Sequence, residues 1–187
     1  MENQPRAESS TTGATAMMIN TKTSVLLQTA TATVSDDKQH RKVNVRILMV
    51  SGSQRTYISE RIVNQLKLKP TNKATMVVNT FGNNSQKEMT LNEYTFQLKS
   101  LMKDCDLVLK AFSVPFICSP LSGQHVEVVK EEFPILKDLN LGDAGSDRTE
   151  IDLLIGADFY WKIIKGEVKR LGHEFSVGLA FEWSLQQ

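Results

Sequence analysis

The chain has 187 residues, and its 22 Lys and Arg residues nearly balance 21 Asp and Glu residues, which leaves a formal charge of +1. This balance gives no electrostatic reason to expect nucleic acid or an anionic membrane as the main partner. A hydrophobic fraction of 41% argues against a largely disordered chain. No run approaches the ~18 apolar residues of a membrane span, and the N-terminus lacks the features of a secretory signal. We therefore expect an intracellular, cytoplasmic domain.

The cysteines and histidines exclude several kinds of site. Cys105 and Cys118 are too few for a disulfide-rich scaffold or a four-cysteine zinc site, and we expect two buried, reduced thiols. His40, His125 and His173 are far apart and share no ligand spacing, so no metal site is predicted. No glycine-rich phosphate loop, zinc-protease helix or hydrolase nucleophile motif is present.

The first half of the chain reads as a leader followed by two strands and a helix. Residues 1–23 are rich in Ser, Thr and Ala and predict a flexible leader, with one domain over 24–187. Apolar and β-branched residues predict strands over 25–34 and 43–50, and a Ser-Gly-Ser break follows. Apolar residues at helical spacing predict a short helix over 58–66.

A hairpin is predicted in the middle of the chain. Strand character returns over 74–80, and a second strand covers 89–98, with a glycine- and asparagine-rich tip over 81–85 between them. The alternation of the second strand changes phase at Asn92 and Glu93, which predicts a β-bulge there.

The last part of the chain adds further strands and short helices. The predicted elements are a strand over 107–117, a helical stripe over 126–136, a strand over 151–155, one or two helical turns over 159–164, and β structure at 168 and over 175–185. In total we count about seven strands and two or three short helices. This set predicts a mainly-β closed or folded sheet.

Two segments carry the most information about function. In residues 46–59 an apolar strand enters a Ser-Gly turn and a polar loop, and a helix follows. In residues 151–161 an apolar strand ends in a glycine and a short helix follows. The hairpin between them is tipped by Thr80, Phe81 and Gly82. This order resembles a retropepsin, the dimeric aspartic protease of retroelements.

The resemblance narrows to the protease region of BEL/Pao-type retrotransposon polyproteins, and it covers roughly residues 24–185. The matching motifs are VLLQTA at 25–30, SGSQR at 51–55, TFG at 80–82, CSPL at 118–121, IGADFYW at 155–161 and GEVKR at 166–170. The resemblance implies an acid-protease barrel of six or seven strands that works as a homodimer. It also implies an aspartic endopeptidase that cleaves peptide or polyprotein substrates with water as nucleophile, without a metal or organic cofactor.

The chain departs from the family at the catalytic position. The family pattern is Leu-Leu/Phe-Asp-Ser-Gly-Ser-Gln, and here residues 48–54 place Val50 where the aspartate belongs. The chemistry needs two carboxylates that share one proton across the dimer axis. Two isopropyl groups accept no proton, so our hypothesis is that this chain does not hydrolyse peptides.

The other matched positions keep roles that the resemblance implies. Ser51 is expected to form a hydrogen bond across the dimer, and Gly52 is expected to permit a tight turn and a close backbone approach. Thr80, Phe81 and Gly82 are the expected flap tip over a substrate groove.

Other carboxylates and aromatic residues have simpler interpretations. Asp143 lies in a polar loop and is expected to be a turn residue, although Asp143-Ala144-Gly145 superficially mimics the catalytic motif. Asp158 is expected to cap a helix, and Asp152 is left without an assigned direction. Tyr160 and Trp161 are expected to pack in the core.

Several alternatives stay open at this point. The chain is a decayed element, a host-retained pseudoprotease or a deliberate active-site variant. A second hypothesis is a pseudoprotease module that binds peptides or dimerises without cleavage. The remaining ones are a half-active heterodimer with an aspartate-bearing partner, and an unrelated β-barrel binding protein.

Overall fold

The computed structural model describes residues 27–38, 40–78, 87–101, 105–121, 149–164, 168–171 and 175–178. The predicted leader, the hairpin tip over 81–85, the helical stripe over 126–136 and the loop that contains Asp143 lie outside the described residues.

Nine strands and two helices form the described part of the chain. The first elements are β1 (Thr29–Ser35), β2 (Lys42–Met49), β3 (Tyr57–Ser59), α1 (Glu60–Leu66), β4 (Asn72–Val78) and β5 (Lys87–Ser100). The later ones are β6 (Asp106–Val114), β7 (Leu153–Ile155), α2 (Ala157–Ile163), β8 (Val168–Leu171) and β9 (Phe175–Gly178). Among these described elements, neither helix is long and apolar enough to cross a membrane.

Six strands close into a barrel. The order in the sheet is β1-β2-β7-β3-β6-β5-β4, and β1 also pairs with β5, so the ring closes and β4 stays outside it. The small sheet β8-β9 is separate. The structure thus confirms the prediction of a mainly-β closed barrel with short helices.

The barrel interior is filled by alternate residues of its strands. Side chains of one strand point to opposite faces in turn, so every second residue faces the interior. The fully buried members include Val34 on β1, Ile47 on β2, Leu98 on β5 and Leu109 on β6. Each such side chain contributes about 1.5–3 kcal/mol by its removal from water. This apolar interior holds the ends of β2 and β7, which carry the site, in fixed positions.

Strand β5 contains no bulge at Asn92 and Glu93, so the prediction there was wrong. Its pairing with β4 runs without a gap from Lys87 to Glu93, and its pairing with β6 continues from Glu93 to Lys99. The apolar side chains switch to the other face of the strand because a different face is covered by neighbouring residues before and after Glu93. Before Glu93 the strand belongs to the hairpin outside the ring, and after it the strand belongs to the barrel. Two different faces are therefore apolar in one regular strand.

The predicted helix over 58–66 begins later, at Glu60. Ile58 lies in β3, which pairs in parallel with β6 and antiparallel with β7. Three residues are too few to show the alternation that identifies a strand, so this central strand was missed. The helix ends at Lys67, whose φ of 53° is left-handed and whose N–H donates to the carbonyl of Asn64.

Candidate active site

The two informative segments lie side by side in the barrel. Strands β2 and β7 run parallel, with Met49 opposite Ile155. The N–H of Val50, the residue after β2, donates to the carbonyl of Ile155 at 2.9 Å. The N–H of Ser53 then donates to the carbonyl of Val50 at 3.1 Å and closes a tight turn. Val50 is half-buried at the mouth of this turn.

The loop after Val50 is fixed to the start of α2. The N–H of Ala157 donates to the carbonyl of Ser53 at 2.7 Å, and the N–H of Gly156 donates to the hydroxyl oxygen of Thr56 at 3.1 Å. A Cβ at position 156 would lie 2.4 Å from the carbonyl oxygen of Arg55. Only glycine permits this approach, so the Ile-Gly motif is a packing requirement of the loop.

Asp158 holds the same loop through Thr56. One carboxylate oxygen accepts the N–H of Thr56 at 3.1 Å, and the other accepts its hydroxyl at 2.7 Å. Asp158 was expected to cap its own helix, but the N-cap residue Gly156 has no side-chain cap and the carboxylate reaches across to the loop instead. Sequence reasoning missed this pair because nothing local links positions 102 residues apart.

Asp152 is buried and belongs to a structural network. Its carboxylate accepts a hydrogen bond from the guanidinium of Arg61, which also lies 3.5 Å from Glu150. The N–H of Asp152 donates to the carbonyl of Arg46 at 2.9 Å. Asp152 thus joins α1 to the strand β2, through its carboxylate on one side and its backbone N–H on the other. The described carboxylates on either side of Gly156, at 152 and 158, therefore both have structural partners.

Arg46 is fully buried although it lies on a strand of apolar residues. Its guanidinium donates to the carbonyls of Leu121 and Thr149 at 3.0 and 3.3 Å. The N–H of Leu121 also donates to the carbonyl of Thr149. Arg46 therefore binds both residues that border the segment 122–148. Burial raises the pKa of the nearby Cys118 thiol, and the positive charge of Arg46 partly offsets this rise. Both cysteines are free, as predicted, and each is half-buried rather than fully buried.

Gly52 does not make the close approach that was expected of it within one chain. A Cβ at this position would meet nothing within 4 Å in the described structure. Ser51 and Gly52 are both exposed at the outer end of the turn. The Ser51-Gly52 turn is therefore open to solvent in the described structure.

A cleft of about 810 Å³ opens beside this loop. One side is the loop from Gly52 to Arg55, and another is the strand β4 from Ala74 to Val77. The remaining lining is mostly apolar and includes Met89, Leu91, Phe112, Phe116 and Leu154. Phe116 is 74% exposed, so the cleft presents an apolar wall to solvent.

One face of the β4-β5 hairpin lines the cleft. Ala74 pairs with Leu91 and Met76 pairs with Met89, and all four residues line the cleft. Within the described residues β4 pairs with β5 alone, so its other edge carries backbone groups without a strand partner.

The expected flap tip, Thr80, Phe81 and Gly82, lies outside the described residues. The strands β4 and β5 that lead to it and away from it pair up to Val78 and Lys87. The hairpin that would carry this tip is thus present, and the tip itself stays a prediction.

One aromatic residue of α2 was misplaced by the sequence analysis. Tyr160 is buried as expected, and its hydroxyl donates to the side-chain oxygen of Gln28 at 2.7 Å. Trp161 is 69% exposed and contacts Tyr160 edge to face, so it does not pack in the core. Adjacent residues on a helix point about 100° apart, and the core takes only one of them.

Comparison with known proteins gives one family. The model of a family described as a putative peptidase (DUF1758) matches residues 32–179, which include the barrel apart from the first three residues of β1, both helices and the loop after Val50. No curated protein matches the chain.

Proposed function

The chain belongs to the putative peptidase family, and from this premise we propose that it is a retropepsin-like domain that binds extended peptides without cutting them. The observation that carries the proposal is the position of Val50. It stands directly after β2, at the mouth of the Ser-Gly turn, and the loop that follows it, from Gly52 to Arg55, lines the peptide-sized cleft. A BEL/Pao-type retrotransposon polyprotein is the proposed origin of the domain.

Catalytic silence follows from the chemistry of the side chain at this point. An aspartic peptidase uses one carboxylate as base toward water and a second as acid toward the scissile carbonyl. Val50 offers an isopropyl group that can do neither. The nearby carboxylates of Asp152 and Asp158 are held by Arg61 and Thr56, so neither replaces the missing group.

Peptide binding is supported by the shape and composition of the cleft. An extended peptide can add a strand to an exposed sheet edge, and its main chain then forms hydrogen bonds while its side chains enter pockets. The outer edge of β4 and the apolar wall around Phe116 offer these two kinds of contact.

We extend the proposal to a homodimer formed through the surface around the Ser51-Gly52 turn. Leu27 and Trp161 are exposed apolar side chains. They flank the hydrogen bond between Gln28 and Tyr160, because Leu27 precedes Gln28 and Trp161 follows Tyr160 in the sequence. A Cβ at position 52 would meet no atom of the described residues within 4 Å, which leaves room for a partner's backbone. Sedimentation of the chain over a range of concentrations tests this part: a monomer at every concentration would contradict it.

Binding without cleavage is tested with a pool of apolar peptides of about ten residues, long enough to span an added strand. The chain should bind the pool, and mass spectrometry should recover every peptide intact. Phe116→Ala should weaken binding about tenfold because it removes a large apolar contact. Leu101→Ala is the control, since Leu101 is also exposed but does not line the cleft. Equal binding by the two variants would contradict the proposed cleft.

A further inference from the structure

Arg55 is the one charged side chain among the described residues that line the cleft. It is exposed, and its backbone is fixed by two contacts. Its carbonyl accepts the hydroxyl of Ser53 at 2.8 Å and packs directly against Gly156. The base of this side chain is therefore held in place at one side of the opening.

The guanidinium of Arg55 has no carboxylate partner among the described residues. The ion pairs described there are those of Arg61 with Glu150 and Asp152. Asp158 lies on the same side of the site, but its two oxygens accept hydrogen bonds from Thr56. The charge of Arg55 is thus available to a ligand.

The charge of Arg55 affects the pKa of Tyr57, another residue that lines the cleft. Burial raises the pKa of the Tyr57 hydroxyl, Arg55 lowers it, and Asp158 raises it. The same hydroxyl contacts the sulfur of Met76 on β4 at 3.9 Å, so Tyr57 joins the floor of the cleft to its strand wall. A cation beside such partly desolvated, apolar walls attracts an anion more strongly than it would in open water.

We propose that Arg55 makes the cleft selective for extended peptides that carry an aspartate or glutamate among apolar residues. The apolar walls take the neighbouring side chains, and the guanidinium binds the carboxylate through its paired N–H donors. This inference rests on the proposed peptide-binding function and adds a preference to it.

The test uses three fluorescent peptide pools that differ at one scanned position, which holds Glu, Gln or Lys. Glu and Gln have the same shape, so their difference reports charge. The unmodified chain should bind the Glu pool about two- to fivefold more tightly than the Gln pool, as expected for a partly exposed ion pair, and the Lys pool most weakly. The preference should shrink in high salt.

Two variants separate Arg55 from the net charge of the chain. Arg55→Glu should reverse the order of the pools, and Arg55→Lys should keep a weaker preference for Glu. Lys42→Glu changes the net charge as much as Arg55→Glu but lies at the far end of β2, and it should leave the order unchanged. Each variant is first checked for an unchanged thermal unfolding temperature.

The outcomes separate this inference from the proposed function. Equal binding of all three pools by the unmodified chain overturns the preference and leaves peptide binding intact. A Glu preference that survives in Arg55→Glu overturns the role of Arg55. Failure of the chain to bind any pool overturns the proposed function, and the inference falls with it.

Discussion

The contact between Gly156 and the loop after Val50 predicts a large difference between two glycine variants. Gly156→Ala places a Cβ 2.4 Å from the carbonyl oxygen of Arg55 and 2.8 Å from that of Ser53. Both atoms belong to the backbone, so no side-chain rotation relieves the overlap. The closest approach is roughly 1 Å shorter than an ordinary carbon–oxygen contact of about 3.3 Å.

The free-energy cost of this variant has two parts. Overpacking costs about 1–3 kcal/mol when the surroundings must shift. Moving the loop also weakens the hydrogen bonds from Gly156 to Thr56 and from Ala157 to Ser53, each worth about 0.5–1.5 kcal/mol. The sum is at most about 2–6 kcal/mol, which corresponds to a fall of roughly 4–24 °C in unfolding temperature for a chain of this size.

The assay is urea and thermal unfolding followed by circular dichroism, at a chain concentration at which sedimentation shows a monomer, with Gly52→Ala as the matched control. Position 52 meets nothing within 4 Å, so alanine there should change the unfolding free energy by less than about 0.5 kcal/mol. If Gly156→Ala unfolds within that same margin of the unmodified chain, the loop does not pack on α2 as described.

Three further predictions concern the polar contacts around the site. Asp158→Asn should lower the unfolding free energy by about 1–2 kcal/mol because the amide accepts at one atom only, whereas Thr56→Ser keeps the hydroxyl and should be milder. Arg46→Met should cost about 1–3 kcal/mol in urea unfolding because the carbonyl of Leu121 loses its donor and that of Thr149 keeps only the N–H of Leu121, and no loss would contradict its role. The pKa of the Cys118 thiol is raised in the folded chain, so the unfolded chain loses the thiol proton at a lower pH than the folded chain does. The free energy of unfolding therefore falls as pH rises through the ordinary cysteine pKa of about 8.5. Under reducing conditions Cys118→Ser should lose less stability than the unmodified chain between neutral pH and about pH 10, and equal losses would refute the shift.

The barrel could be predicted from the sequence where strands are long enough to show a period. β2 and β5 have apolar residues at regular spacing, and both were found. β3 has three residues between two other strands, so its burial comes entirely from tertiary contacts. The phase change in β5 was read as a bulge because one sequence cannot show that a strand leaves a hairpin and enters a barrel.

The candidate site was predictable as a pair of motifs but not as a set of contacts. Val50 was identified through the resemblance to the retropepsin motif, and Gly156 was identified because it ends an apolar strand. The pair of Thr56 and Asp158 joins positions far apart in sequence, and Arg55 gains its place in the cleft only when β4 folds beside it. Contacts of this kind depend on topology, and local patterns carry no signal of them.

The central claim is that Val50 alone silences an otherwise intact peptidase site. The most direct measurement compares the unmodified chain with Val50→Asp and Val50→Asn on a mixed peptide substrate at about pH 4–6, where paired carboxylates share a proton. Asparagine has the shape of aspartate, but its amide cannot serve as the acid or the base in peptide hydrolysis. We predict cleavage by Val50→Asp and none by the other two proteins. Cleavage by the unmodified chain, or no cleavage by a Val50→Asp protein that folds, dimerises and binds peptide, would contradict it.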